Sequence, residues 1–202
     1  MLKIYIIIRS KYYIYKLDQN ISPITPFSRI GRILFALNII GLIALVAIGF
    51  YGYFVFEGLI PTHFDFAGNP DAYGSSTIFL IMIPTLAIAP ILILLATQYR
   101  YTFINKYPYL INLPAFYTYI PKIPFEKRGY WINKYFEAVL AIGVFTTVEM
   151  ILIMWVVYLG TIEEVLPNWF LPVILIMSLG MIPPLIYYFY KLSQKMKKAI
   201  TE

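Results

Sequence analysis

His63, Asp65 and Asp71 lie close together in the stretch IPTHFDFAGNPDAYGSS, residues 60–76, and His63 is the only histidine of the chain. An imidazole with two carboxylates is a donor set able to hold a divalent cation. The spacing fits no specific metal motif, and the alternating oxygen ligands and distal Glu of a calcium loop are missing. Two readings stay open: a ligand or metal site, and a turn tied together by its own hydrogen bonds. No metal or other cofactor is assigned on this pattern.

A second set lies in strongly apolar sequence. Glu149, Ser178 and Thr85 each stand near the middle of a long hydrophobic run, and Thr146 precedes Glu149 by one helical turn. A carboxylate at the centre of a bilayer costs at least ~2.5 kcal/mol, so Glu149 is expected to be neutralised, paired or open to a wet cavity. At about 1.5 Å per helical residue, the three form one polar layer if their helices cross a membrane side by side. Such a layer serves as a proton or ion relay or as hydrogen-bonded packing between helices. Asn38 lies nearer one end. Intramembrane hydrolysis would need paired aspartates, a serine with its base, or HExxH. None occurs, and cysteine is absent, so the expectation is a protein without enzymatic activity.

The elements that must carry these groups follow from composition. The chain has 202 residues, 60% of them hydrophobic and 13% charged, with a mean hydropathy of +0.74. A soluble domain of this size cannot hide so much apolar surface, so lipid is the expected solvent. A bilayer core about 30 Å thick takes roughly 20 residues of helix, and four runs qualify: 33–56, 77–97, 138–159 and 169–190. Prolines 84, 90, 172, 183 and 184 are tolerated in membrane helices, which they kink. The expected fold is an all-α integral membrane protein of four transmembrane helices in one domain, residues 33–190. An interfacial segment, 1–32, precedes it, with a short extended piece as the alternative, and a basic tail, 191–202, follows. No secretory leader is apparent.

All 16 Lys and Arg fall in the N-terminal segment, in the connection 98–137 and in the tail. The loops 57–76 and 160–168 carry only acidic charges: Glu57, Asp65 and Asp71, then Glu163 and Glu164. The bias of basic residues toward the cytoplasm predicts both termini inside and the loop 57–76 outside. It also accounts for the net charge of +6 without nucleic acid as a partner. Membrane lipid is the partner a basic rim implies. The connection 98–137 holds prolines 108, 114, 121 and 124, which forbid one continuous helix. It is also rich in Tyr, Phe, Ile and Leu, unlike a disordered linker. An ordered piece against the inner membrane face is expected, either a plain connector or a dock for a protein.

In the outer loop, Pro61 ends any extension of the first helix. Gly68-Asn69-Pro70-Asp71 is turn chemistry, with Gly68 suited to positive φ. Ser75, Ser76 or Thr77 is placed to cap the second helix. Phe64 and Phe66 share a face if that piece is extended, which would fold the loop onto the membrane. The pattern Leu59-x-Pro61-Thr62-His63-Phe64, then Gly68, Asp71, Gly74 and Ser75, resembles a domain-of-unknown-function family of multi-pass membrane proteins. That domain also forms the N-terminal part of SdpI-type bacteriocin immunity proteins. Ser76 stands where the pattern usually has Lys, and no counterpart of the C-terminal SdpI domain is present. The resemblance implies a structured outer loop shared by such proteins. An immunity-like binding role through Pro61, His63, Phe64, Asp65, Gly68, Asp71, Gly74 and Ser75 follows from it, and a protein or peptide is the partner that role would take.

Overall fold

The computed structural model describes residues 21–108 and 114–201. The interfacial reading of residues 1–32 falls largely on 1–20 and lies outside the described residues. The order is α1 (Arg29–Val55), β1 (Ile60–Phe64), β2 (Pro70–Gly74), α2 (Thr77–Gln98), α3 (Arg100–Lys106) and α4 (Pro114–Tyr119). A single 3-10 turn at Ile120–Lys122 follows, then α5 (Phe125–Glu163), α6 (Phe170–Gly180) and α7 (Ile182–Thr201). Among the described residues, four helices are long and apolar enough to cross a membrane: α1, α2, α5, and α6 running on into α7.

Three expectations need correction. The all-α reading omitted a two-stranded antiparallel hairpin between α1 and α2. The third span is only the C-terminal part of α5, which begins at Phe125 rather than near 138. Pro124 starts this helix, and the next proline is Pro167. Lys127, Arg128 and Lys134 therefore ride on the helix instead of sitting in a connection. At 39 residues and about 1.5 Å each, α5 is nearly twice as long as a bilayer core is thick. Finally, α1 starts at Arg29, where the Ser28 hydroxyl accepts the Gly31 amide at 3.2 Å, four residues before the expected span.

α1, α2 and α5 pack against one another. Small residues on α1 set their approach. A Cβ on Gly41 would lie 2.5 Å from Thr147 Cγ2, and one on Gly52 would lie 2.7 Å from the Phe79 ring. This is how membrane helices gain van der Waals contact where lipid offers no hydrophobic drive. Leu45, Ile60, Phe79, Ala87, Met154 and Tyr158 form the core of the hairpin end. A second core at the opposite, basic end joins Ile104, Phe116, Ile120, Ile132 and Met196, with Ile21 and Ile200 packed on it. Ile40, Ile43, Ile88 and Ile176 are among the large apolar side chains left exposed, as a lipid-facing surface requires.

Candidate functional site

Segment 57–76 is a hairpin laid across the helix ends. Ile60 pairs with Gly74, Pro61 with Tyr73, His63 with Ala72 and Phe64 with Pro70, and the register shifts on either side of His63. Such irregularities re-aim side chains. Here they accompany a 2.5 Å contact between His63 Nδ1 and Asp71 Oδ1, with both side chains largely exposed. Asp65 does not join them. Its Oδ1 accepts the amides of Ala67 at 2.9 Å and Asn69 at 2.8 Å. Those bonds, Asn69 foremost, hold its carboxyl below the ordinary aspartate value. The three candidate ligands are thus split between two tasks. Among the described residues no group of three His, Cys, Asp or Glu is placed to hold a metal ion.

Gly68 has φ 86°, the left-handed conformation expected of it. Its carbonyl accepts the Leu166 amide at 2.8 Å, and a Cβ on it would lie 2.9 Å from the Leu166 carbonyl oxygen. The hairpin tip is thereby stapled to the α5–α6 loop. Phe64 packs toward Gly160 of α5, while Phe66 is 97% exposed. The two rings were expected to share a face and do not, because the turn begins between them. The Ser75 hydroxyl contacts Thr77 Oγ1, and Ser76 stands at the α2 N-cap without a side-chain bond. The first α2 amides instead reach the carbonyls of Ser75 and Ser76. A Cβ on Gly74 would lie 3.0 Å from Thr62 Cγ2 across the hairpin.

Within the helices, the Ser178 hydroxyl donates to Glu149 Oε1, and Glu149 is only 6% exposed. Two of the three expected partners therefore meet. Thr85 does not, since its hydroxyl turns back to the Ile81 carbonyl at 2.8 Å on an exposed face. A different polar contact ties α1 to α5. Asn38, fully buried, donates to the Leu34 and Leu140 carbonyls at 2.9 and 3.0 Å and accepts from the Thr147 hydroxyl at 3.3 Å.

The basic end holds the groups that sequence reasoning missed. Arg100 is 6% exposed and donates to Asn133 Oδ1 at 2.9 Å, to the Thr97 carbonyl at 3.1 Å and to the Thr25 carbonyl at 3.0 Å. Its guanidinium lies 3.4 Å from the centroid of the Phe27 ring. Arg128 donates to the carbonyls of Ile123, Ile21 and Pro121, each within 2.9 Å. Asn105 and Ser22 exchange two bonds of 3.0 Å. Glu137 is buried against Gly31, takes Lys134 at 2.7 Å on Oε2, and leaves Oε1 without a hydrogen-bond partner among the described residues. The only sequence signal for this cluster is the position of Arg100 between Tyr99 and Tyr101, and of Asn133 two residues from Trp131 and from Tyr135.

The domain of unknown function DUF1648 matches residues 39–88, which run from the middle of α1 through the hairpin into α2. A protein of Archaeoglobus fulgidus, described as uncharacterized, is 35% identical over 185 residues, covering 91% of this chain and 100% of the relative. No solved structure matches. The hairpin and the helices that support it are thus the matched part, and the chain belongs to the DUF1648 family of multi-pass, membrane-spanning proteins.

Proposed function

We propose that the chain is a non-enzymatic binding protein of the cell membrane that recognises a protein or peptide through its hairpin. In this reading the basic end and both termini are cytoplasmic and the hairpin is extracytoplasmic, as the basic-residue bias requires. The observation that carries the reading is Phe66, almost wholly exposed at the tip of a backbone fixed by the Asp65 turn and the Leu166 staple. A preformed loop loses little entropy on binding, and exposed aromatics are the usual anchors of such contacts. The resemblance to SdpI-type proteins makes protection against an external peptide one form this binding takes. The connection 98–137 supports a docking role less well, since Ile104, Phe116, Ile120 and Ile132 are spent on the protein's own core.

The test is affinity purification from native membranes of the wild type and of Phe66→Ser. A partner that co-purifies with the wild type and is lost with Phe66→Ser supports recognition by the hairpin. Identical partners from both overturn it. Orientation is checked separately. A cysteine at Asn69 should react with an impermeant reagent added outside intact cells, and reaction only after lysis would invert the topology.

A second reading is favoured by the Glu149–Ser178 pair: a small transporter or ion- or proton-conducting protein that uses Glu149. In vesicles with an internal pH dye, this reading expects proton flux that disappears in Glu149→Gln. The absence of wild-type flux would remove it.

A further inference from the structure

α6 is held differently from the other spans. α1, α2 and α5 pack together, whereas α6 buries none of its residues. Three attachments fix it. At the hairpin end the Leu166 amide, four residues before α6, donates to Gly68. At mid-depth Ser178 donates to Glu149. At the basic end α7 buries Leu192 and Met196.

The joint between α6 and α7 is weak. A Cβ on Gly180 would meet nothing within 4 Å. Pro183 and Pro184 have no N–H to give the carbonyls one turn before them, those of Leu179 and Gly180. The bonds that cross the joint, Met181 to Met177 and Leu185 to Met181, measure 3.2 and 3.3 Å, at or beyond the long end of the normal range.

The charges at this depth are few. Residues 33–55 of α1, 77–98 of α2, 138–162 of α5 and 170–180 of α6 contain no Lys, Arg or His, and Glu149 is their only acid. The other titratable side chains in these stretches are Tyr51, Tyr53 and Tyr158, all toward the hairpin end. Among the described residues, Glu149 therefore faces the Ser178 hydroxyl and no counter-charge.

We propose that Glu149 is a proton-binding site and that its occupancy sets the position of α6. With the proton on, the carboxyl is neutral and its carbonyl oxygen takes the Ser178 hydroxyl, so α6 stays docked on α5. When the proton leaves to water, a bare carboxylate faces hydrocarbon, which is costly. Water relieves that cost, and water enters only if α6 moves away on the 180–184 joint. By linkage, whatever draws α6 away releases the proton. The inference rests on proton exchange at Glu149, the premise of the second reading, but it does not require flux. It is independent of ligand recognition by the hairpin.

The experiment uses the full chain in lipid nanodiscs. The chain has no cysteine, so Leu92→Cys on α2 and Leu175→Cys on α6, both exposed, give one unique pair of spin labels. Distance measurement across a pH titration should show docked and undocked populations whose ratio changes at least tenfold. Glu149→Gln, which keeps the bond to Ser178 but cannot release a proton, should stay docked at every pH. Ser178→Ala should show the undocked population already at acid pH. A wild-type distribution that is the same at every pH overturns the proposal, and so does a shift that persists unchanged in Glu149→Gln. The vesicle assay separates the two readings. Movement without flux keeps the latch and removes the transporter, while flux without movement removes the latch.

Discussion

The two ends of the molecule solve opposite problems. The hairpin itself is local, apart from the Gly68–Leu166 bond and the seat of Ile60 on α1, α2 and α5. Its strands are a few residues apart in sequence, and its turn is closed by Asp65 and Gly68 on their neighbours. Its ion pair, His63 with Asp71, is largely exposed. The basic end is non-local. Arg128 reaches Ile21 across 107 residues, Asn133 reaches Pro26 across the same distance, and Met196 of α7 joins the core. Local, solvent-facing contacts leave side chains available for a ligand at little cost to the fold. Buried long-range contacts leave little available and make each group structural. The difference teaches that the charges counted for orientation are not all surface charges, since Arg100 and Arg128 organise backbone.

That contrast can be broken from its strong side first. Arg100→Leu removes three donated bonds from a buried site and leaves Asn133 and two carbonyls short of a donor. The buried acceptors left unpaired should cost about 1–3 kcal/mol each, read from the unfolding midpoint in denaturing detergent. Arg100→Lys should rescue little, because one ammonium cannot replace the guanidinium fork. A near-wild-type midpoint for Arg100→Leu would show that the basic end does not depend on this residue.

At the hairpin, Gly68→Val forces a branched side chain into positive φ and against the Leu166 carbonyl. A loss on the order of 1–2 kcal/mol is expected, read as a lower melting temperature in mild detergent. An unchanged melt would separate the hairpin tip from the α5–α6 loop.

pH should address the two ends separately. Burial pushes the Tyr117 hydroxyl, which donates to the Pro108 carbonyl, up to about 12 from an ordinary value of 10. A raised folded value means the folded state keeps its proton longer. The contribution of Tyr117 is whole below pH 10 and is lost as pH rises toward 12. Asp65 has the opposite sign. Its depressed folded value means its contribution is present above 3.8 and is lost as pH falls through the folded value. Hydrogen exchange should therefore show the basic end loosening in alkali and the hairpin in acid. The same response at both ends would argue against separate units.

The smallest effect is expected at the exposed pair. His63→Ala should cost less than ~1 kcal/mol in the same melt, and a larger loss would make His63 a structural residue of the hairpin.

The spans were legible because lipid demands a long unbroken apolar run, and 33–56 and 77–97 lie close to α1 and α2. The turn at Gly68 was legible because only a few residue types accept its backbone. Glu149 with Ser178 was found from helical rise alone, but Thr85 was placed beside them without knowing which way its helix faces. Rise gives depth and not rotation, so Asn38 with Thr147 went unnoticed. The basic end was illegible for another reason. Lys127, Arg128 and Lys134 lower the apolar signal over the first turns of α5, so a helix that outruns the membrane reads as a connection. What Arg100 binds depends on residues 25 and 133, and nothing local reveals such a pairing.

The core of the basic end also sets an order of assembly. Its members come from residue 21, from 101–139, and from Met196 and Ile200 of α7. A ribosome delivering the chain in sequence must therefore have made α7 before this core can close. Until then α1, α2 and α5 must hold their places through the close approaches at Gly41 and Gly52. α7 acts as the closing clasp of this core, so a chain cut short after α6 would reach the membrane with its basic end unfinished.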